Sequence, residues 1–358
     1  MKARTRSRTI LLALLVVVAV AGLGVAGAFA AGSAPSLDLP AVGANELLAS
    51  TIRAAESGRP ISGSVTTHVD VGLPDIPSSM GGGPSGIESV LGDQRFKVWS
   101  SPDGLRVSQL LPFAERVFVG SPTDVWTWTS DQDLAVHTSV DASTRRAVSR
   151  DLTSVLGDPE HLANELLRAA SNVADVSVAP AEEVAGRATY TLRLTPTSAE
   201  TKIGRVDVSI DAETRLPLRV QVFPRGSSAP AIEAGFSSVD FGPIDPSMFT
   251  FTPPPGATVE QGGLTPASGA STSAAAMSGA SGGADEGSSR ADQPQIFGTG
   301  FGTVIAVPVS KPPQELDSIL PFEGPLGSAE LVRHGDTTWL LSGAVGLEEL
   351  DAASSKLA

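Results

Sequence analysis

Residues 206–224, VDVSIDAETRLPLRVQVFP, predict two β-strands joined by a tight turn. Apolar and polar residues alternate on both sides of the turn, which is the period of a strand that buries one face. The apolar positions are Val206, Val208 and Ile210 before the turn, and Leu216, Leu218, Val220 and Val222 after it. This apolar face either fills an ordinary core or forms a surface that accepts an apolar molecule.

Short segments with the same period run through much of the chain. They are QRFKVWS, GLRVSQLL, ERVFVG, DVWTWTS and DLAVHTSV between residues 60 and 140, RATYTLRLT at 187–195, and IEAGFSSVDFG at 232–242. Turn-forming residues separate them at intervals of about 8–12 residues, which is typical of an antiparallel meander. In this part of the chain, helical periodicity is confined to residues 44–57, 144–156 and 158–172.

Three helices are few for a sheet of about eight to ten amphipathic strands. Such a sheet can close into a barrel, fold into a sandwich or curl around its helices. Curling leaves a cleft between the apolar face and its helical cover, and clefts of this kind bind apolar ligands. The Gly- and Pro-rich insertion at 71–94 is either a lid over such a cleft or a surface loop.

The N-terminal segment, residues 1–31, has the pattern of an export signal. Four basic residues precede an uncharged run at 10–31, and the small-residue triplet AFA at 28–30 favours cleavage after Ala30. The run of 22 residues is also long enough for an uncleaved membrane anchor. In both cases the chain is predicted to be extracytoplasmic, either secreted or anchored to the cytoplasmic membrane by this segment.

Composition divides the remainder of the chain into four parts. They are a spacer at 32–43, a sheet-rich domain at 44–260, a Gly/Ser/Ala linker at 261–295 that is predicted to be disordered, and a small α+β segment at 296–358. The last segment is marginal as an independent core, so we expect it to dock on something, and the sequence leaves open whether this is the half-barrel. The predicted class is α+β.

Charge and cysteine content exclude several classes of function. Beyond residue 30 the chain has 21 Lys and Arg against 39 Asp and Glu, a net charge of about −18. This charge opposes binding to nucleic acid and to anionic lipid headgroups. The absence of cysteine excludes disulfides, thiolate metal sites, a cysteine nucleophile and a lipid-modified N-terminal cysteine.

The polar residues form no catalytic constellation that can be read from the sequence. His68, His137, His161 and His334 stand far apart, none at the spacing of metal ligands. Acidic residues are spread along polar strand faces rather than paired. We therefore predict a binding protein with no cofactor and no metal, not an enzyme.

Trp126 and Trp128 share one face of the strand DVWTWTS. They either fill an antiparallel core or line an apolar pocket. The predicted lining of that pocket is Val98, Trp126, Trp128, Val206, Val208, Ile210, Leu218 and Val220.

A helix at 44–57 followed by a long meander resembles the LolA, LppX/LprG and RseB/MucB superfamily. The resemblance is carried by Asp211, Thr214, Leu216, Pro217, Leu218 and Arg219, and then by Phe236, Val239, Asp240, Phe241, Asp245, Pro246, Phe249, Phe251, Pro253, Pro254 and Gly256. It spans about residues 40–260 and implies an unclosed antiparallel half-barrel wrapped around a helical plug or lid. It also implies a lipid or lipoprotein acyl chain as the ligand, although carriers of the LppX/LprG kind bear the lipid-modified cysteine that is lacking here.

The C-terminal residues 329–358 are similar to the end of RseB-type proteins. The matching residues are Gly335, Asp336, Trp339, Leu340, Gly343, Leu347 and Leu350. This resemblance implies an anti-sigma factor or another membrane protein as partner. The sequence therefore leaves open a carrier-like lipid-binding protein, an RseB-like regulatory module, and a closed core that serves only as a scaffold.

Overall fold

A computed structural model of the chain describes residues 39–72, 92–140, 168, 170–262, 293–309, 316, 319–335 and 337–357. Its main feature is a sheet of twelve strands in the order β12-β6-β5-β4-β3-β2-β1-β11-β10-β9-β8-β7. The strands are β1 (Ile61–Val69), β2 (Gln94–Ser101), β3 (Gly104–Leu110), β4 (Glu115–Gly120), β5 (Asp124–Thr129), β6 (Leu134–Ser139), β7 (Ala174–Val184), β8 (Arg187–Pro196), β9 (Ile203–Asp211), β10 (Pro217–Pro224), β11 (Ile232–Asp240) and β12 (Thr258–Gln261).

The large sheet is unclosed and curled. Its two edges are β12 and β7, and every neighbouring pair is antiparallel except β12 and β6, which are parallel. The end of β7 nevertheless approaches β11, four positions away in the strand order. Val184 of β7 shares a buried cluster with Ile61 of β1, which requires the sheet to curl at this end. The predicted α+β class and unclosed half-barrel are confirmed.

The turn inside the stretch 206–224 is built by the side chain of Asp211, which is fully buried. Its Oδ1 accepts the backbone N–H groups of Glu213 (3.1 Å) and Thr214 (2.6 Å), and this allows Arg215 to take a positive φ of 63°. The Thr214 hydroxyl in turn accepts the N–H of Leu216. The first part of the pattern quoted for the family resemblance, residues 211–219, therefore specifies this turn.

The helix α1 (Ala44–Glu56) covers the apolar face of β7–β9. Leu47 is fully buried against Tyr190, Leu192 and Ile210. The Tyr190 hydroxyl donates to the carbonyl of Pro40 at 3.0 Å, which fixes the chain just before the helix. This half of the sheet therefore has a closed core with the helix as its plug.

The C-terminal unit has a second sheet, in the order β13-β14-β17-β16-β15, covered by one helix. Its strands are β13 (Gln295–Phe297), β14 (Val304–Val309), β15 (Phe322–Glu323), β16 (Ser328–His334) and β17 (Thr337–Gly343), followed by α2 (Leu347–Ser354). Trp339 and Leu341 of β17 are fully buried against Leu350 of α2. The unit therefore has a small core of its own.

The C-terminal unit also docks on the large sheet, a point that the sequence left open. Backbone bonds join Thr201 to Val345 and the N–H of Lys202 to the carbonyl of Ala344. Leu326, in the β15–β16 turn, packs in a buried cluster with Ile232 of β11. Both contacts lie at the end of the sheet where β9 and β11 begin.

Most strands of the large sheet form where the period of two predicts them, with three additions. β1 and β12 are two of them, and the third is β7, which contains Pro180. The register of β7 against β8 shifts between Ala179 and Glu182, so the proline sits in a β-bulge and interrupts no regular ladder. The predicted export signal and the helix at 144–156 lie outside the described residues. Of the insertion at 71–94, only residues 71–72 and 92–94 are described. In the described part, no helix is long and apolar enough to cross a bilayer.

Candidate functional site: an apolar stripe across six strands

Cross-strand partners in a sheet point to the same side, so the register assigns each side chain to a face. Val208 of β9 pairs with Val220, which pairs with Ala234, and Ala234 pairs with Thr67 of β1. From β1 the same face continues through β2 to β6 without a register shift. We call this the inner face, because α1 packs on it.

The inner face carries a continuous row of paired side chains across β1–β6, which we call the apolar stripe. Its members are Gly63, Val98, Val107, Phe118, Thr127 and Val136. Strands are spaced about 4.8 Å apart, so the row is about 24 Å long. Phe96 and Val65 lie beside it, one pair further along β2 and β1.

The stripe differs from the neighbouring half of the inner face in what packs on it. Over β7–β9 the apolar side chains belong to the cluster under α1, and at the end of β1 they join a second cluster. None of the buried clusters of the described residues includes the four apolar members of the stripe. Phe118 is 36% exposed, whereas Val98 is buried. Within the described residues, the stripe is thus a part of the inner face whose apolar members join no buried cluster, and Phe118 is its exposed apolar member.

At two glycines near the stripe the surrounding atoms leave no room for a side chain. A Cβ on Gly63 would lie 2.0 Å from the carbonyl oxygen of Ser238, because β1 and β11 approach at a bulge. A Cβ on Gly104 would lie 2.8 Å from the ring of Phe249 on the opposite face. Any larger residue would push the neighbouring segment away.

The structure does not bring the eight predicted lining residues to one surface. Ile210 and Leu218 are buried in the clusters under α1 and at the curled end, and Val208 packs on the first of these. Val206 and Val220 lie on the inner face, half-buried, on the α1 side of the sheet. Val98 is the one predicted residue in the stripe.

Trp126 and Trp128 lie on the outer face, opposite the stripe. Trp128 pairs with Val117 and is buried with it in a cluster that Phe251 covers. The Phe251 ring lies 5.6 Å from that of Trp126 and 6.2 Å from that of Trp128. Both tryptophans therefore pack under the segment that leads into β12. Of the two roles that the sequence left open, this is the packing of a core.

A histidine–aspartate pair closes this outer cluster at its edge. His137 stacks on Trp126 with 4.1 Å between ring centroids, and its Nε2 lies 2.8 Å from Oδ1 of Asp124. The hydroxyl of Thr123 and then His137 hold the pKa of Asp124 below its usual value. The pair, with the Thr123 hydroxyl bonded to Asp124, stabilises the edge strands.

The outer face of β7–β10 carries a charged network. Arg193 makes two bonds to Asp207 (2.7 and 2.6 Å), and Asp207 also accepts from Arg205. Arg219 pairs with Glu182, whose other oxygen accepts from Thr191 and Ser209. Every arginine named here has a carboxylate partner, with Arg193 and Arg205 sharing Asp207, so the network is structural.

A separate ion pair on the same face fixes Asp211. Arg187 donates to its two oxygens at 2.8 and 3.0 Å and also reaches Glu213. Burial would raise the pKa of Asp211, but the bonds from Arg187 and Thr214 outweigh it and lower the pKa. The bonds to Asp211 and then Glu213 raise the pKa of Arg187.

Metal chemistry has no support in the described part of the chain. No group of three or more His, Asp or Glu side chains there is arranged to hold a metal ion. The four histidines predicted to stand apart include His161, which lies outside the described residues.

The residues of the stripe that the sequence did not identify are Val107, Phe118 and Val136. Each lies in a segment whose period of two was recognised. What the sequence does not give is which alternate set of side chains shares a face with Val208 and Val220. This depends on the register of the eight successive strand pairs from β9 to β6.

Comparison with known proteins gives matches in structure alone. No protein-family model matches the chain, and no curated protein matches it. Among solved structures, the MucA/MucB complex of Pseudomonas aeruginosa aligns with 86% of this chain and 96% of that chain, at 13% identity and a TM-score of 0.43. An uncharacterized conserved protein from Thermus thermophilus aligns with 61% of this chain and 98% of that chain, at 11% identity and a TM-score of 0.34.

A LolA superfamily protein from Nitrosomonas europaea is also similar to the chain. It aligns with 59% of this chain and 99% of that chain, at 11% identity and a TM-score of 0.22. At these identities and scores, ligand and partner have to be inferred from the chain's own surfaces.

Proposed function

We propose that this chain is an extracytoplasmic binding protein that holds the acyl chain of a lipid or lipoprotein on the apolar stripe. The observation that supports this most directly is the contrast between the two halves of the inner face. Over β7–β9 the apolar face is filled by α1, whereas Phe118 in the stripe remains 36% exposed. The charged network of β7–β10 lies on the other face, and Thr127 is the one polar member of the stripe.

The dimensions of the stripe suit a linear hydrocarbon. It is about 24 Å long, from the spacing of six strands. Burial of one methylene contributes about 0.8 kcal/mol, so ten methylenes contribute about 8 kcal/mol. A binding free energy of that size corresponds to a micromolar dissociation constant. The entropic cost of ordering the acyl chain reduces this affinity. A hydrophobic ligand of this kind needs no cofactor or catalytic group.

The test is binding of a fluorescent acyl probe together with mass spectrometry of lipid that purifies with the full chain. Phe118→Asp places a charge in the middle of the stripe and should weaken probe binding at least tenfold. The matched control is Val259→Asp, because Val259 of β12 is similarly exposed (47%) but lies on the outer face.

Probe binding that is lost in the Phe118→Asp protein and kept in the Val259→Asp protein supports the stripe as the site. Equal affinity in both variants, or a chain that carries no lipid and binds no probe, would contradict the proposal. Because both residues are exposed, neither substitution is expected to disturb folding.

A second function, an RseB-like regulatory module that binds an anti-sigma factor or other membrane partner, has its own support in the C-terminal unit. The face of its sheet opposite the core is apolar where Val307 pairs with Leu340, and Leu340 with Leu331. Val307 is 39% exposed. A surface of this kind suits a protein partner.

The two functions can be separated by one substitution in each surface. Val307→Asp should reduce capture of a membrane protein from envelope extracts if the C-terminal unit is a docking module. It should leave acyl-probe binding unchanged. Partner capture that is unaffected by Val307→Asp would remove the support for the regulatory function.

A further inference from the structure

The β3–β4 turn carries the most exposed aromatic side chain of the described residues. Phe113 is fully exposed (102%), and Leu110 at the end of β3 is 41% exposed. The turn is closed by a bond from the N–H of Leu111 to the carbonyl of Ala114 at 2.9 Å. Leu110, Leu111, Pro112 and Phe113 therefore form an apolar hairpin tip, which we call the β3–β4 tip.

We propose that the β3–β4 tip inserts into the interfacial region of a lipid bilayer and so docks the protein on a membrane surface. A fully exposed phenylalanine leaves the whole apolar ring in contact with water, which is unfavourable for the free protein. Nothing in the fold requires it, because it contacts no buried cluster of the described residues. Its exposure is best explained by a partner that covers it.

The shape of the tip favours a bilayer over another protein. A specific protein interface buries roughly 1,200–2,000 Å². One hairpin tip with three large apolar side chains offers a small part of that area. Insertion into a bilayer has no such threshold, because each apolar side chain that leaves water contributes by itself.

The polar residues behind the tip are arranged as an interfacial segment requires. Arg95 of β2 is exposed and pairs with Leu110, and Arg116 of β4 pairs with Gln109. Long basic side chains one step behind an apolar tip can extend toward lipid phosphates while the tip enters the acyl region. Glu115 pairs with Leu110 on the other side, so the tip is amphipathic without a strong net charge.

The tip also lies next to the stripe. Phe96, beside the stripe, pairs with Gln109 of the strand that leads into the tip. Docking there would place one flank of the stripe close to the bilayer surface. The inference itself rests on the exposure of the tip and holds whether or not the stripe binds an acyl chain.

The experiment uses the absence of cysteine from the chain. Ala114→Cys in the full-length chain gives a single site for an environment-sensitive fluorophore beside Phe113. Ile296→Cys, at an exposed position (45%) of the C-terminal sheet, gives the control label. The proteins are mixed with vesicles of phosphatidylcholine, and the blue shift of the label and its quenching by a lipid-attached quencher are recorded.

Insertion predicts that the label at 114 becomes blue-shifted and quenched from within the bilayer, and that the label at 296 does not. Adding Phe113→Ser should raise the lipid concentration for half-maximal shift about tenfold or more. Labels at 114 and 296 that respond alike, or a response at 114 that survives Phe113→Ser, would overturn the proposal. A shift that appears without lipid as protein concentration rises would assign the tip to self-association instead.

Failure of this inference is distinguishable from failure of the proposed ligand site. Phe113→Ser should leave acyl-probe binding in detergent-free solution unchanged, and Phe118→Asp should leave vesicle docking through the tip in place. Loss of both activities in both variants would indicate general misfolding, which the far-UV circular dichroism of each variant detects.

Discussion

Replacing Asp211 tests whether one buried carboxylate holds the curled end of the large sheet. Its side chain is 1% exposed, accepts two backbone N–H groups of the turn and makes two bonds to Arg187. Asp211→Ala removes all four bonds and leaves the N–H of Thr214 without its acceptor. Breaking a buried pair costs about 3–5 kcal/mol, and we expect the lower end, about 3 kcal/mol, because Arg187 is 31% exposed and keeps Glu213.

Asp211→Asn separates the turn from the ion pair. The amide oxygen can still accept from Thr214, so only the charged bonds are weakened and the expected loss is about 1.5 kcal/mol. Urea unfolding followed by tryptophan fluorescence measures both values, with the exposed Asp131→Asn as the control. Equal losses for the two Asp211 variants, or a loss below about 1 kcal/mol for Asp211→Ala, would refute the role given to the carboxylate.

The pH dependence of the same variants follows from the lowered pKa of Asp211. A carboxyl whose pKa is lower in the folded chain stabilises it above the unfolded pKa, about 3.9, and this stabilisation is lost as the pH falls through the folded value. The parent protein and Asp211→Ala should therefore converge in stability in acid. Urea midpoints at several pH values check this convergence.

Three further predictions concern the other surfaces. Burial and then the charge of Asp351 raise the pKa of Glu330 in the folded chain. Its ionised form therefore destabilises the C-terminal unit as the pH rises through the folded pKa. Glu330→Gln should raise the thermal midpoint at pH 7 and lose this advantage in acid. Trp128→Ala should cost about 3–5 kcal/mol in urea unfolding and, in the fraction that stays folded, leave acyl-probe affinity unchanged, because the side chain is buried on the outer face. Leu326→Ala should weaken docking of the C-terminal unit by about 2–3 kcal/mol, seen as faster hydrogen exchange of the Lys202 amide, which bonds Ala344 across the contact; unchanged exchange would place the docking energy elsewhere.

Local rules account for what could be predicted of the fold. The strand at 187–195 and both arms of the stretch 206–224 form because their alternation gives each a single apolar face. The helix at 44–57 forms where the period of 3.6 predicts it, and it ends at Glu56. β7 escaped prediction because its proline contradicts a regular strand, and only a bulge in the register makes the proline acceptable.

The sequence predicts an apolar surface, and most of the residues it names lie elsewhere than the stripe. The expectation of an apolar surface beyond what the helices cover follows from counting amphipathic strands. Its location does not, because Val208, Ile210 and Leu218 have the most regular alternation and are also the residues that α1 and the curled end bury. Phe118, the exposed member of the stripe, comes from the plain segment ERVFVG.

By itself the sequence determined the elements and their turns: period-two strands, the Asp211 turn, and an apolar helix to pack against them. Each of these depends on residues within a few positions of one another, so it can be read along the chain. Only the tertiary structure decided that the tryptophans face away from Val98 and that α1 fills one half of the inner face. Whether two side chains share a face depends on the hydrogen-bond register of every strand between them, which no local pattern records.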